Sequence, residues 1–179
     1  MNLISKFIDR VQRFDQKIIE LLREKHNNPW VTAIMSFFSH PPYWRHFAVV
    51  IIITLLIMGT PLIRIRISIL LIAIIVSDQT CNLIKAFTKR IRPNGGGPPK
   101  GNFWKDLGRY SFPSSHSANN FSATILTLQW WLPLGIFLCS WALVVACSRI
   151  YLRSHYPSDV IVGGLIGIIY GLLIIQLAP

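Results

Sequence analysis

Residues 134–177 read LGIFLCSWALVVACSRIYLRSHYPSDVIVGGLIGIIYGLLIIQL. Two apolar runs, about Leu134–Arg149 and about Ser158–Leu177, each approach the length that crosses a bilayer. Between them lies a polar hinge, Ser148–Asp159 (SRIYLRSHYPSD), with Arg149, Arg153, His155 and Asp159 in one short segment. Charge this dense beside hydrocarbon is costly unless it is paired or used. Two earlier stretches have the same character, Lys85–Pro93 (KAFTKRIRP) and Phe112–Asn120 (FPSSHSANN). The three are expected to meet at one membrane surface and to handle phosphate.

Composition supports this frame. The chain has 179 residues, enough for one domain, and is 52% hydrophobic. Its mean hydropathy is +0.47. Only 14% of it is charged, yet the formal net charge is +11. A membrane protein with a basic face accounts for both numbers. Such a face suits anionic lipid headgroups or phosphate substrates. A nucleic-acid partner is not expected, because a nucleic-acid domain has no need of several membrane-length apolar runs. Cys81, Cys139 and Cys147 fall inside apolar runs without metal-site spacing and read as buried free thiols. Charges interrupt the N-terminal stretch throughout, so no signal peptide is read there and insertion is expected to use internal spans.

From the hinge outward, five spans emerge. The first runs from about Trp44 to Ile63, with Arg64 and Arg66 marking a tight turn. The second covers about Ile67 to Phe87. On it Asp78, Asn82, Lys85 and Lys89 share one helical face, extended by Arg92 if the helix persists. Asp78 and Asn82 read equally as site support or as interhelical hydrogen-bonding groups. Residues 94–110, with five glycines, Trp104 and several basic residues, read as a mobile loop over the membrane surface. The third span runs from about Ser115 to Trp130-Trp131, and the fourth and fifth are the runs quoted above. Gly163, Gly167 and Gly171 form a GxxxGxxxG stripe on the fifth, with Asp159 four residues earlier on the same line. Counting spans puts Lys85, Ser114 and His155 on one side. It puts Arg64–Arg66 and Trp130–Pro133 on the other.

Ahead of the spans, residues 3–25 place Leu3, Ile4, Phe7, Val11, Phe14, Ile18, Leu21 and Leu22 at helical spacing. Lys6, Arg10, Arg13, Lys17 and Arg23 take other faces, as in a helix lying in the membrane interface. The alternative is a helix packed on a partner protein. Asn27, Asn28 and Pro29 break it. Trp30–Ser39 is apolar but too short to span, and His40-Pro41-Pro42 breaks the chain again. The expected architecture is an all-α integral-membrane bundle of about five spans. Residues 1–43 form an interfacial amphipathic region and residues 44–179 a single membrane-embedded domain.

Phosphate ester hydrolysis is largely a matter of positioning and charge stabilisation. Lys85, Arg92 and Arg149 supply cations, and Arg forks match phosphate oxygens. Pro113-Ser114 looks like a helix start, with Ser114 as N-cap and free amides behind it for an anion. His116 falls in that helix's first turn. Tyr156-Pro157-Ser158 starts the last helix, with His155 just before it and Asp159 just inside. A carboxylate bonded to one imidazole nitrogen would fix the tautomer and leave the other nitrogen free to attack. Each residue has a bland reading: a lone histidine as an interfacial or hydrogen-bonded residue, a lone Lys or Arg as a snorkelling anchor. Three charged segments returning to one side with two histidines outweigh those readings.

Lys85-x6-Arg92-Pro93, Pro113-Ser114-Ser115-His116 and Ser148-Arg149-x5-His155-x3-Asp159 resemble the three-part signature of the type 2 phosphatidic acid phosphatase superfamily, in order and in internal spacing. One departure stands out, since the second motif usually has Gly before its His and this chain has Ser115. A small residue is kept there, with less backbone freedom. The resemblance implies that His155 is the nucleophile of a phosphohistidine pathway. Asp159 would orient it, and His116 would protonate the leaving oxygen. Lys85, Arg92, Ser114, Ser115 (through its amide) and Arg149 would hold the phosphoryl group. It also implies no metal or other cofactor, and a lipid phosphate or diphosphate as substrate.

Among such substrates bacterial envelope lipids come first, because the chain is short like compact bacterial members and its interfacial parts are basic. Lipid A 1-phosphate leads slightly, ahead of undecaprenyl diphosphate and phosphatidylglycerophosphate. The other classes considered are a non-catalytic binder of anionic lipids and a transporter lined by Asp78, Asn82 and Lys85. Charge counting alone puts the site in the cytoplasm. The resemblance puts it on the periplasmic face of the inner membrane, and this is the expectation adopted.

Overall fold

The computed structural model describes residues 3–25, 28–40, 42–97 and 101–176. Asn27, Pro41, residues 98–100, Leu177 and the side chains of Leu3, Ile4, Arg23 and Trp104 lie outside the described residues. The elements in chain order are α1 (Leu3–Lys25), α2 (Pro29–Ser39), α3 (Pro42–Met58), α4 (Pro61–Thr88), α5 (Phe103–Asp106) with a 3-10 turn at Leu107–Arg109, α6 (Ser115–Trp130), α7 (Leu132–Tyr151) and α8 (Pro157–Ile175). The fold is an all-helical membrane bundle.

Local chemistry sets the helix starts. Proline stands in the first turn of α2, α4, α7 and α8, where its missing N–H costs nothing. The Asn28 side chain caps α2, accepting from the amides of Trp30 and Val31. Thr60 caps α4 and Ser114 caps α6.

The Thr60-Pro61 pair corrects the expected first boundary. The first span was expected to run to Ile63, with Arg64 and Arg66 in the turn. Instead α3 ends at Met58, and both arginines lie inside α4. Arg64 folds back and donates from Nε to the Gly59 carbonyl and from Nη2 to the Ile57 carbonyl. It thereby satisfies carbonyls that the end of α3 leaves open. Arg66 lies over the Trp130 ring, 5.7 Å from its centroid, so the two segments expected on the far side do meet.

Among the described residues, four helical stretches are long and apolar enough to cross a membrane: Pro29–Met58, Pro61–Thr88, Leu132–Tyr151 and Pro157–Ile175. The third expected span forms as α6, with 16 residues, but is not one of the four. It packs against α4, α7 and α8, burying Ser115, Ser117, Ser122, Thr124 and Thr127. The hydroxyls of Thr124 and Thr127 bond back to the carbonyls of Asn120 and Ala123. Small side chains let three neighbours close around this helix, although the buried Ser122 Oγ has no partner among the described residues. Trp30–Ser39, read as too short to span, is α2, packed along α7 with Phe38 edge-on to Trp141. The three thiols are free, but only Cys81 is buried. Cys139 is half-buried and Cys147 exposed, because a bundle in lipid turns part of each apolar helix outward.

The glycine stripe governs how close α8 comes to α6. A Cβ on Gly163 would collide with the Ser114 carbonyl, and one on Gly167 with the Ala118 carbonyl. At Gly171 it would lie 2.7 Å from the Ile125 Cβ. Gly164 faces only the edge of the Phe121 ring, at 3.2 Å. Alanine gains about 0.5–1 kcal/mol over glycine in a helix interior, whereas overpacking against fixed backbone costs about 1–3 kcal/mol. Gly167→Ala is therefore expected to lower the Tm in detergent, while Gly164→Ala leaves it unchanged or raises it. Equal Tm values for the two variants would contradict the close α6–α8 approach.

Candidate active site

The site is built where four helix ends converge. Helix α4 carries Lys85 in its last turn and stops at Lys89, which caps it in the left-handed conformation (φ 47°). The chain then leaves the helix axis, and Arg90, Ile91 and Arg92 cross the end of the bundle. Backbone pairing of Ile91 with Tyr110, and of the Ser111 amide with the Arg90 carbonyl (2.7 Å), fixes this crossing. The same pairing ties down the base of the 94–110 loop, which was expected to hang free. Arg109 Nε also donates to the Gly97 carbonyl. Helix α7 ends at Tyr151 with Arg149 in its last turn. The Arg149 carbonyl accepts from the amides of both Ser154 and His155, hooking His155 under the bundle end. Helix α8 then starts at Pro157, and the Ser114 amide donates to the Asp159 carbonyl, which joins its start to that of α6.

His155 is 1% exposed. Its Nδ1 lies 2.7 Å from the Ser111 carbonyl, and its Nε2 lies 3.0 Å from Arg92 Nη1. A guanidinium only donates, so Nε2 accepts and Nδ1 carries the proton. Asp159 was expected to make the orienting bond. Its Oδ2 lies 3.7 Å from Nδ1 and accepts instead from the Tyr156 amide at 2.8 Å. The Ser111 carbonyl makes the direct bond, and Asp159 stands behind it. Burial, followed by the charges of Arg92, Arg149 and Lys85, pushes the His155 pKa well below its usual value of 6.5.

The cations converge as expected. Arg92 is held by the carbonyls of Gly108 and Ser154. Lys85 is buried and donates to the Ser115 hydroxyl. That bond gives the departure at position 115 a role, since glycine could not accept it. Arg149 donates from Nη1 to both the carbonyl and the hydroxyl of Ser39 at the end of α2. Its Nε is buried without a partner among the described residues. Arg149 lines a pocket of about 340 Å³ with Ser36, Ser39, His40, Leu152 and Ser154. His116 is half-buried and lies within electrostatic range of Arg149, His155, Arg92 and Lys85.

Ser114 is brought to the site as an N-cap, with its buried hydroxyl turned to the amide and hydroxyl of Ser117. The face read through Asp78, Asn82, Lys85 and Lys89 delivers only Lys85. Asn82 Nδ2 donates to Asp78 Oδ2 one turn away, and Lys89 is exposed.

Two residues escape a reading of the sequence alone. Arg90 Nη1 donates to Asp159 Oδ1 at 2.7 Å, and its guanidinium lies 4.0 Å from the centroid of the Tyr156 ring. Its Nη2 donates to Asp15 Oδ2 at 2.7 Å. Extrapolating the α4 face past Lys85 skips Arg90, because the left-handed turn at Lys89 breaks the period. Asp15 has a usable signal. With Val11, Ile18 and Leu22 it follows i, i+4, i+7, i+11, a buried register for an acidic residue.

Comparison with known proteins agrees with this layout. A lipid A 4'-phosphatase of Bacteroides thetaiotaomicron is 32% identical over 102 residues, which is 51% of this chain and 44% of that protein. The chain thus matches less than half the length of that relative. A transmembrane PAP2-type phosphatidylglycerolphosphate phosphatase of Bacillus subtilis has the same fold, with a TM-score of 0.70 at 22% identity, over 94% of this chain and 86% of that one. Aquifex aeolicus LpxE follows with a TM-score of 0.64 at 23% identity, over 88% and 93%. Residues 66–179, which hold all three motifs, match the PAP2 superfamily, and the chain belongs to that family.

Proposed function

We propose that the chain is a metal-independent lipid phosphate or diphosphate phosphatase acting through a phosphohistidine at His155. The observation that carries this reading is the state of the imidazole. Its Nδ1 proton is committed to the Ser111 carbonyl, and its Nε2 lone pair faces Arg92. A phosphoryl group drawing Arg92 onto its own oxygens uncovers that lone pair. Nε2 then attacks phosphorus as the bond to the leaving oxygen breaks. Burial and the charges of Arg149, His155, Arg92 and Lys85 push the His116 pKa down to about 3, so His116 takes up a proton as the phosphate's negative charge arrives and gives it to that oxygen. Water attacks the phosphohistidine in the second step, with His116 taking its proton. Lys85, Arg92, Arg149 and the first amides of α6, including that of Ser115, hold the charge that develops on the phosphoryl oxygens. Ser114 holds the helix start that presents those amides.

Bacterial envelope lipids fit a site this cationic. Lipid A 1-phosphate remains the first-ranked substrate, with the 4'-phosphate brought in by the relative's activity. Undecaprenyl diphosphate and phosphatidylglycerophosphate follow. The headgroup would enter beside Arg149, through the pocket walled by Ser36, Ser39 and His40. Helix α1 would lie in the interface, with Phe7, Phe14 and Leu21 as its exposed stripe at heptad spacing. The site would face the periplasm from the inner membrane.

Three outcomes are expected. With chelator present, wild type releases phosphate from at least one of lipid A, undecaprenyl diphosphate, phosphatidylglycerophosphate and phosphatidic acid, and His155→Ala falls by about 10³-fold or more. Equal release from both proteins would remove His155 from the mechanism. A thiol placed by Gly101→Cys reacts with a membrane-impermeant reagent in intact cells; protection until lysis would reverse the assigned side.

The third outcome concerns pH. The unfolded chain binds a proton at His155 near pH 6.5, which the folded state refuses. Folded stability is therefore complete above that pH and declines as pH falls below it. Between pH 7.5 and 5.5 the Tm of wild type should drop further than that of His155→Gln. Parallel curves would mean that the folded chain takes up the His155 proton as readily as the unfolded chain.

A further inference from the structure

The N-terminal helix lies outside the residues that match the family, yet it places one carboxylate against the reaction centre. Asp15 is 0% exposed, on a helix whose flanking Gln12, Arg13, Phe14, Gln16 and Lys17 are exposed. Its Oδ1 accepts from the Ser158 amide at 2.9 Å, in the first turn of α8. Its Oδ2 accepts from the Ser158 hydroxyl and from Arg90 Nη2. Arg90 in turn holds Ser158 Oγ at 2.8 Å and Asp159 Oδ1 at 2.7 Å, both through Nη1. Asp159 fixes the Tyr156 amide, next to His155. A continuous chain of charge-assisted bonds thus runs from α1 to the nucleophile.

We infer that Asp15 is a positioning residue for phosphoryl transfer: through Arg90 and the start of α8 it sets Asp159 and the peptide that carries His155. Without Asp15, Arg90 keeps Asp159 as its one charged partner among the described residues and is free to follow it, so the guanidinium is no longer clamped from two sides. The Ser158 amide, in the first turn of α8, also loses its acceptor from another helix. Neither change alters the cations expected to grip phosphate, namely Lys85, Arg92 and Arg149. The effect is therefore expected on turnover rather than on substrate affinity. A helix that only anchors the chain to the membrane would not need a buried carboxylate here. Its apolar stripe, Phe7, Phe14 and Leu21, points elsewhere and remains exposed.

The inference rests on the phosphatase reading, and the experiment separates the two. Full-length wild type, Asp15→Asn, Asp15→Glu and His155→Gln are purified in the same detergent. Phosphate release is measured with the best substrate of the lipid panel, alongside Tm and the imidazole ¹⁵N spectrum, with the His155 signal assigned by its loss in His155→Gln. Asp15→Asn is expected to lower kcat at least tenfold with KM within twofold of wild type, and to shift the His155 signal while leaving that of exposed His46 unmoved. Asp15→Glu, which restores the charge, should recover part of kcat and part of the shift. Wild-type kcat in Asp15→Asn, or a lowered kcat with an unmoved His155 signal, overturns the inference. If wild type releases no phosphate, the phosphatase reading fails by itself. The His155 signal then still decides whether Asp15 positions it. Should Asp15→Asn not fold, Asp15→Glu carries the same decision.

Discussion

Backbone contact between α6 and α8 is the constraint on which the site depends. Gly163 and Gly167 leave no room for a side chain between α8 and the carbonyls of Ser114 and Ala118. Because the helices touch at this distance, the Ser114 amide reaches the Asp159 carbonyl and the two N-termini lie side by side. Their dipoles add at one place, at the same end of the bundle. Helices α4 and α7 end there as well, and their C-terminal carbonyls would oppose an anion. Each carries its own cation in the last turn, Lys85 and Arg149, which reverses that sign. A sub-ångström loss of contact along the glycine stripe would therefore act on every group of the site together.

Charge balance explains what the assembled end is for. Arg90 is paired with two carboxylates, Asp15 and Asp159, both fully buried. Breaking one side of such a buried arrangement costs about 3–5 kcal/mol in comparable proteins, so it is held firmly. Among the described residues Lys85, Arg92 and Arg149 bond to neutral groups: a hydroxyl, two carbonyls, and the end of α2. None of the three is in a salt bridge with a carboxylate among the described residues, although Asp78 acts on Lys85 and Asp159 on Arg92 at longer range, and cations held this way near hydrocarbon are expensive to keep. In the proposed reaction a phosphate dianion would supply further negative charge here. Burial first, and the charges of Arg92, Arg149 and Lys85 after it, push the His155 pKa down and favour the neutral imidazole, which is the form a nucleophile needs. In that reading substrate binding and nucleophile activation would draw on the same cations.

Much of this is legible in the order of the residues. The apolar runs mark the helices, and the three motifs name the residues that converge, because their spacing is tied to the chemistry. The glycine stripe correctly announces a packed face. Boundaries are harder. Arg64 and Arg66 look like a turn because charge usually marks the end of a span, yet Arg64 serves as a cap for the helix before it. Helix α6 passes as an ordinary span although its serines and threonines are the reason it sits in the middle. Carboxylate–imidazole pairs make Asp159 the natural choice for the tautomer-fixing bond. The partner is a main-chain carbonyl, which no side-chain pattern encodes. Arg90 is hidden by a left-handed residue at Lys89, a conformation lysine seldom adopts and sequence rarely signals.

The N-terminal region bears on substrate choice for a physical reason. The family match begins at residue 66, so the shared part of the chain supplies the chemistry common to all members. Yet Arg90 is bound by Asp15 of α1, and Arg149 by Ser39 of α2. These two helices are thus part of the wall around the candidate site and not only a foot in the membrane. In the proposed reaction the common motifs would fix the phosphate of a lipid headgroup, and whatever lies beyond that phosphate would pack against what surrounds Arg149. On one side that surrounding is Ser36, Ser39 and His40, polar groups that can hydrogen-bond a sugar or glycerol but offer little to a bare isoprenoid. Relatives sharing the three motifs can therefore differ in substrate without any change in the groups that move phosphorus.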